Sequence, residues 1–503
     1  MKRRLSYSTV FSKYELPLPD RLARFAYSFY KKTRIGLSKW FPLKEYEKFH
    51  FENPGFRDEP SSDMPLGFNY LTKETEDGYI NLDYVDFYDY LPKEDLDIFK
   101  QALKRFVVRN KPAPFGPLRS AKDDGRIDTM GRYIDRRSFS NLYVVKLIHN
   151  RYLEEFSPQV SISLRNLSSS FLVVKYRFYI SNRFNEDFNA ICKTRYLPYT
   201  DIFRPFNIPW YRPRKFGTSL YTGNDGRRRG IYTFTTNFKW NAFKELRKYF
   251  PIYFERNHLF PPTFETYSTN IRPNSNPENI GFWSSVMWGF QTDYAPKYNL
   301  CVCWDYKCGQ HEGIRLSAYC GGNYTDSDQL PEIAKHELSD IYAVYMTASS
   351  LRNIAERDIA ICNKKISKAI RKEKISSVLK VRVQVEQELY YSYRFISEFS
   401  GDTIDYDDAK EFYSHIYKYK SDSRTMTGLK NISKFTSETK QQIDTLLHVL
   451  DDAAEYGSSK FNMNLQRFMM AVTVLSLITA IMALLGFDQN TLKAILNTVF
   501  RFF

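Results

Sequence analysis

The C-terminal third of the chain carries its apolar residues at the spacing of a helix. From position 429 they recur every three or four residues, with one gap at Thr439, and the opposite face is polar. Such a stripe is typical of an amphipathic helix. It consists of Leu429, Ile432, Phe435, Ile443, Leu446, Leu450, Ala453, Gly457, Phe461, Leu465 and Phe468. We therefore expect residues 426–467 to form a long stalk helix.

The stalk runs without a proline into residues 468–487, a segment of 20 residues that holds no charge. A helix rises about 1.5 Å per residue, so this segment measures about 30 Å, which matches the hydrocarbon core of a bilayer. The pattern predicts a C-terminal transmembrane helix, with Lys460 and Arg467 on its cytoplasmic side. The last segment, 488–503, is too short to span and is amphipathic, so it is expected at the interface or at a pore mouth.

Small and hydroxyl residues lie on one side of the predicted span: Thr473, Ser476, Thr479, Ala480 and Ala483. Membrane helices associate through such residues. One interpretation is a helix that packs against copies of itself and lines a pore, where Asp488 would add a ring of carboxylates that favours cations. The other is a lone tail anchor whose hydroxyls bond to their own helix. The stripe does not decide between them.

Residues 331–425 are expected to form long antiparallel helices, because apolar residues recur at near-heptad spacing from Ala334 to Ile366. All 22 prolines of the chain lie at or before Pro331. Residues 1–330 instead indicate a mixed α+β domain. Strands are predicted in SNLYVVKLI, QVSISLRNL, SSFLVVKYRFYI, GIYTFTTNF, NLCVCWDY and GIRLSAYC, and helices at 20–48, 92–109 and WNAFKELRKYF. The predicted fold class is an α+β cytoplasmic domain, then a long helical bundle and stalk, then a transmembrane helix.

The positive charge lies in the N-terminal part. Of the net +16, residues 331–503 hold 23 Lys and Arg against 21 Asp and Glu, which leaves 50 against 36 and a net of +14 in residues 1–330. An excess so far from the predicted span favours an anionic ligand, a nucleotide or a nucleic acid, and a solvated basic surface is the alternative. No catalytic motif is present, so we do not expect an enzyme.

The candidate ligand-binding residues are arginines that stand among glycine, aspartate and aromatic residues, a setting that we interpret as loops. Their guanidinium groups suit phosphate, and nearby aromatic rings suit an adenine. They are Arg119, Arg126, Arg132, Arg136, Arg137, Arg212, Arg214, Arg227, Arg228 and Arg229. For each cluster, a salt-bridged surface is the competing interpretation.

Two other clusters are weighed for metals. The first cluster consists of Cys301, Cys303, Cys308, His311 and Cys320. Zinc sites usually have two to four residues between paired cysteines, and only one residue separates Cys301 from Cys303. If those two lie on a strand, they point to the same face, and buried thiols in a sheet are the preferred interpretation. Acidic groups at 402–411 and 451–455 are solvated or collect divalent cations. No metal site is predicted.

The segment SSKFNMNLQRFMMAVTVLSLITAIMALLGF resembles the CorA family of divalent-cation channels. That family places a Ser-Asn/Lys-x-Asn-x-x-Met-x-x-Leu-Thr pattern before its first span and closes the span with Gly-Met-Asn. The positions of that Gly-Met-Asn are taken here by Gly486, Phe487 and Asp488, and only the glycine matches. The second span of the family is missing or reduced to 491–503.

Divergent CorA-like proteins act as membrane effectors beside type III CRISPR systems and bind a nucleotide second messenger, such as an S-adenosylmethionine–AMP conjugate. The resemblance implies a homo-oligomeric, preferably pentameric channel in the inner membrane, with most of the chain cytoplasmic, that a nucleotide opens in antiviral defence. The alternatives are a CorA-like Mg²⁺ transporter, and a tail-anchored scaffold for nucleic-acid processing that has no pore.

Overall fold

The computed structural model describes residues 4–11, 73–112, 139–194, 199–203, 217–221, 223–271, 282–283, 286, 290–295, 300–305, 313–321, 330–371, 380–381, 383, 385, 394–395, 397–398 and 424–484. The helix predicted at 20–48 and the C-terminal segment 488–503 lie outside these residues.

Within the described residues, nine strands form one mixed sheet in the order β2-β3-β4-β5-β1-β8-β11-β10-β9, and β6 pairs with β7 in a separate ribbon. The strands are β1 (Ile80–Pro92), β2 (Lys111–Pro112), β3 (Ser140–Lys146), β4 (Gln159–Asn166), β5 (Phe171–Tyr179), β6 (Tyr199–Phe203), β7 (Gly217–Tyr221), β8 (Thr263–Thr269), β9 (Phe290–Ala295), β10 (Leu300–Asp305) and β11 (Arg315–Gly321). Neighbours are antiparallel except β8 and β11, which run parallel. The predicted strands that became β3, β4, β5, β10 and β11 are confirmed.

The helices lie mostly between the strands in sequence, and the two longest follow the last strand. They are α1 (Tyr7–Val10), α2 (Lys73–Asp77), a 3-10 turn (Lys93–Asp95), α3 (Leu96–Arg109), α4 (Arg151–Phe156), α5 (Asn182–Lys193), α6 (Gly223–Tyr249), α7 (Tyr253–Arg256), α8 (Leu330–Arg371) and α9 (Arg424–Leu484). The stalk helix expected at 426–467 and the helix expected at 92–109 are therefore confirmed. Of the long antiparallel helices expected at 331–425, the described residues contain α8.

Aromatic side chains form the core between one face of the sheet and helices α5 and α6. Phe178 on β5 lies edge-on to Phe87 on β1, with ring centroids 5.5 Å apart. The same ring meets Phe238 of α6 at 6.3 Å, and Phe238 meets Phe184 of α5 at 5.3 Å. Edge-to-face pairs add to the burial of large apolar area, so this packing stabilises the sheet against α5 and α6.

The strand predicted at GIYTFTTNF is wrong, since these residues belong to α6. Its β-branched and aromatic residues favour a strand locally. In the structure Phe238, Ala242 and Leu246 recur every four residues and are buried. The Thr236 hydroxyl donates to the Tyr232 carbonyl oxygen of the preceding turn at 2.7 Å, so it does not compete with the helix. Tertiary packing therefore overrides the local preference.

The structure has the expected sheet and helices, but the predicted fold class is wrong in its transmembrane helix. None of the helices formed by the described residues combines the length and the apolar character that crossing a membrane requires. The described part of helix α9 runs to Leu484 and includes residues 468–484 of the apolar segment.

The chain divides into two compact units. The first comprises Met1–Leu351 and Glu398–Phe435, and it contains the nine-stranded sheet. The second comprises Arg352–Ser397 and Thr436–Phe503. The boundaries fall inside α8 and α9. Residues 330–351, the N-terminal half of α8, belong to the unit of the sheet.

Candidate functional site

A buried ion pair lies on the face of the sheet opposite α5 and α6. Asp86 on β1 is directly across from Arg177 on β5 in the strand register. Arg177 donates from Nε to Asp86 Oδ1 and from Nη2 to Asp86 Oδ2, both at 2.8 Å. Both side chains are buried. This two-bond geometry is the strongest that an arginine and a carboxylate can make.

Helix α8 adds Ser339 to this ion pair. Arg177 Nη2 donates to Ser339 Oγ at 3.0 Å, and the Ser339 hydroxyl donates to Asp86 Oδ2. The hydroxyl of Tyr88, two residues along β1, donates to the Ser339 carbonyl oxygen at 2.8 Å. Side chains of two strands therefore fix both the hydroxyl and the backbone of one residue near the start of α8.

A second ion pair follows at the next residue of the helix. Lys175 Nζ lies 2.5 Å from Asp340 Oδ1, and Arg165 Nη1 donates to the Asp340 carbonyl oxygen at 3.2 Å. One turn further, the Tyr342 ring stacks on Phe264 of β8 with centroids 5.5 Å apart. We call Asp86, Tyr88, Lys175, Arg177, Ser339 and Asp340 the α8 anchor. It fixes the position of the helix along the sheet.

The electrostatics keep Asp86 ionised. Burial raises the pKa of Asp86, but the charge and hydrogen bonds of Arg177, together with the charge of Lys175, outweigh burial and bring this pKa below its ordinary value. Burial lowers the pKa of Lys175, and the nearby Asp340 carboxylate opposes that shift. A buried pair that loses one partner leaves an uncompensated charge, at a cost of about 3–5 kcal/mol. The anchor therefore strongly favours one arrangement of sheet and helix.

A second buried cluster occupies the opposite face. Glu265 on β8 accepts from Arg315 Nη2 at 2.9 Å and lies 3.0 Å from Lys239 Nζ of α6. The Tyr267 hydroxyl donates to the same carboxylate at 2.7 Å. Burial raises the pKa of Glu265, yet the charges of Arg315 and Lys239 outweigh it and bring the pKa to about 2. This cluster joins β8, β11 and α6 through charge.

Three of the predicted ligand-binding arginines lie in described residues. Arg227, Arg228 and Arg229 belong to the first two turns of α6, so their interpretation as loop residues is wrong. Arg227 is fully buried, donates to the Thr194 carbonyl oxygen at 3.4 Å and lies over the Phe282 ring at 5.6 Å. Arg228 and Arg229 are half-buried. The remaining predicted arginines lie outside the described residues: Arg119, Arg126, Arg132, Arg136, Arg137, Arg212 and Arg214.

The predicted pore residues are only partly described. Thr473 and Ser476 are exposed on α9, and the Thr473 hydroxyl donates to the Met469 carbonyl oxygen at 2.8 Å. Thr479 lies in the same helix, and its side chain is outside the described set, as is Asp488. This bond ties the Thr473 hydroxyl to its own helix.

Cys301 and Cys303 lie on β10 and point to the same face, with their sulfur atoms 3.7 Å apart. Both are buried. The hydrogen bond between the two thiols, with burial, raises the pKa of Cys303 well above its ordinary value, so Cys303 does not readily form a thiolate. The side chains of Cys308, His311 and Cys320 are not among those described. Over the described part of the chain, no three His, Cys, Asp or Glu side chains form a group suited to a metal.

The residues of the α8 anchor were not predicted from the sequence. A signal for them exists, since Asp86 and Asp89 interrupt apolar and aromatic residues in β1, and Lys175 and Arg177 do so in β5. Charges in a strand that is otherwise apolar are seldom buried without partners. The sequence does not show that the partner is Ser339, 253 residues away from Asp86.

Comparison with known proteins adds no family, since neither the family models nor the curated proteins contain a match to this chain.

Proposed function

We propose that this protein is a ligand-operated effector. An anionic ligand of the nucleotide class binds the basic α+β unit, and the resulting change passes through the α8 anchor to the long helices. The α8 anchor is the observation that carries the proposal, because it joins two strands of the sheet to the start of a helix of 42 residues.

A buried network of this kind suits transmission better than a graded elastic contact. Packed interiors resist continuous deformation, so interfaces tend to change between discrete arrangements. A shift of β5 relative to β1 separates Arg177 from Asp86. The same shift breaks the hydrogen bond that Arg177 donates to the Ser339 hydroxyl. A ligand that favours such a shift therefore moves α8, and the coupling equals its difference in affinity for the two arrangements.

The ligand class rests on charge. Residues 1–330 carry the net +14 derived above, and Arg228 and Arg229 are half-buried on the first turns of α6. Half-buried arginines suit phosphate because part of their hydration is already lost. The pore expected from the sequence forms no part of this proposal.

The output is self-association through α9. Its C-terminal half exposes many large apolar side chains: Tyr456, Phe461, Met463, Leu465, Phe468, Met469, Met470, Val472, Val474 and Leu477. So many exposed apolar side chains on one helix favour an interaction site. The occupant that we propose is another copy of the chain, so the effector is a homo-oligomer whose assembly responds to ligand.

The test measures binding and transmission in the same full-length protein. Isothermal titration with ATP, AMP and the S-adenosylmethionine–AMP conjugate gives the affinity, and hydrogen exchange of residues 339–351 reports the anchor. R228E/R229E is expected to weaken binding at least tenfold. The matched control is R151E, which reverses an exposed arginine of α4 in the same unit and should leave binding unchanged.

Each outcome is decisive for one part. Binding with altered exchange at 339–351 supports the proposal. Binding with unaltered exchange there overturns transmission through the α8 anchor. No binding of any of the three compounds at 1 mM, roughly the weak limit of about −4 kcal/mol, overturns the nucleotide class.

A further inference from the structure

The hairpin turn between β4 and β5 consists largely of three serines. The backbone N–H groups of Leu167 and Ser168 both donate to the Phe171 carbonyl oxygen at 3.0 Å, which closes the turn. Ser169 at its tip is exposed, and Ser168 is half-buried. The turn therefore presents hydroxyl and N–H groups at a solvent-accessible edge of the sheet.

The orientation of the Ser168 hydroxyl is fixed by its neighbours. Ser168 Oγ accepts from the backbone N–H groups of Phe171 at 3.2 Å and of Ser170 at 3.4 Å. With its oxygen used as an acceptor inside the turn, the single hydroxyl proton is directed outward. The Ser168 O–H group is thus a donor held in place for an external acceptor.

That acceptor is the carboxylate of Glu398. Ser168 Oγ donates to Glu398 Oε2 at 2.5 Å, and the Ser170 backbone N–H donates to the same oxygen at 3.1 Å. Burial raises the pKa of Glu398, but hydrogen bonds from the three serines outweigh it and lower the pKa. Two converging donors on one anionic oxygen are the arrangement of an oxyanion-binding site.

We propose that the turn 167–170 is an oxyanion-binding site that Glu398 occupies as an internal ligand. A carboxylate or phosphate oxygen from another molecule can take its place, because Glu398 is half-buried and solvent reaches the turn. The ligand class is a small carboxylate or a phosphate monoester. This inference does not depend on the nucleotide proposed above.

Displacement of Glu398 affects more than the turn. The β4–β5 hairpin also binds Asp340 through Lys175 and Arg165. Asp340 and Glu398 bracket residues 341–397, so one hairpin fixes both ends of this excursion of the chain. Release of Glu398 frees one end and leaves the α8 anchor intact, so the site is a point at which an anion regulates how residues 341–397 are held.

The experiment is chemical rescue in the full-length protein. E398A removes the internal carboxylate, and hydrogen exchange of the Ser170 amide reports whether its acceptor is present. In E398A this amide should exchange at least fivefold faster than in the wild type, and 50 mM acetate or inorganic phosphate at constant ionic strength should restore its protection. S397A is the matched control, because it removes a neighbouring hydroxyl, which donates to the Arg394 carbonyl oxygen, and keeps the carboxylate of Glu398.

Acetate rescue identifies a carboxylate site and phosphate rescue identifies a phosphate site, and both support the proposal. S168A/E398A must lose the rescue, since it lacks the directed hydroxyl. The proposal is overturned if neither anion restores protection in folded E398A. It is also overturned if the double variant is rescued equally, because the anions then act on the whole protein.

Discussion

Glu265 is a buried carboxylate with two cationic neighbours and a tyrosine hydroxyl, all drawn from different elements. Its carboxylate pairs with both Lys239 and Arg315. Removal of this charge leaves two buried cations near one another, where repulsion is weakly screened. A single residue therefore controls whether α6 and β11 can remain against β8.

Glu265→Gln should lower the free energy of unfolding by about 3 kcal/mol at pH 7. The pKa of Glu265 in the folded protein is about 2, below its ordinary value of 4.5. The ionised form therefore contributes full stability above pH 4.5, and this contribution is lost as the pH falls from 4.5 towards 2. Urea unfolding of both proteins at pH 7 and at pH 3 should show a smaller difference at pH 3.

Glu186→Gln is the control for Glu265, since Glu186 is exposed and pairs with Arg183 on the same helix. Its effect should stay under about 0.5 kcal/mol at either pH. A constant difference between Glu265→Gln and wild type across this range would show that the loss comes from packing and not from the carboxylate charge.

Single residues also show which parts of the candidate site can be predicted from the sequence and which cannot. Arg227 was predicted to contact a ligand because it follows glycine and aspartate, yet its side chain is fully buried. Composition near a residue does not reveal the helix that begins at Gly223 or the ring of Phe282 that covers the guanidinium. The same argument explains why Ser339 was missed. A serine shows no outward sign that two strands will use it as a partner.

At the scale of elements, the sequence predicts strands well where β-branched and aromatic residues are dense. FLVVKYRFY is such a run, even with Lys175 and Arg177 in it, and became β5. The central strand β1 was missed because its residues, INLDYVDFYDYLP, include three aspartates that read as polar breaks. In the folded chain Asp86 pairs with Arg177, and Asp89 accepts from the backbone N–H groups of Tyr253 and Phe254. Long-range partners decide this element.

The segment that leads into β11 passes close to the backbone at Phe260, and glycine at position 313 makes this possible. A Cβ atom at Gly313 would lie 2.2 Å from the Phe260 carbonyl oxygen, which is too close for real atoms. The following residue, Ile314, accepts from the Thr263 N–H at 2.9 Å, where the parallel pairing of β11 with β8 begins. The close approach of two backbones therefore requires glycine at this position.

Gly313→Ala should displace one of these backbones and lower the free energy of unfolding by about 1–3 kcal/mol. Thermal unfolding gives the loss, and hydrogen exchange of residues 314–321 should locate it in β11. Gly230→Ala is the matched control, because position 230 is inside helix α6 and alanine is favoured there. Equal effects of the two substitutions would mean that the contact with Phe260 is not limiting.

At the scale of the whole molecule, the sequence predicts the division between a sheet-rich part and long helices. It does not predict the details of how these parts are joined. The apolar residues of α9 led to a predicted span, and none of the helices formed by the described residues has the length and apolar character that a span requires. The exposed apolar side chains remain, and they need an occupant.

The last prediction concerns that occupant. Phe468 and Met470 are 66% and 69% exposed, and burial of two such side chains is worth about 1.5–3 kcal/mol each. Every copy in an oligomer gains this burial energy. Replacement of the two side chains therefore weakens assembly more than folding. Phe468→Glu with Met470→Glu should reduce the mass measured by mass photometry to that of one chain, while the thermal unfolding of the sheet unit stays unchanged.

Asn462→Glu with Asn464→Glu introduces the same charge at exposed polar positions of the same helix and should keep the oligomer. A wild-type protein that is monomeric at micromolar concentration refutes self-association, and loss of the oligomer in both double variants shows that added charge, and not the loss of apolar contact, separates the copies.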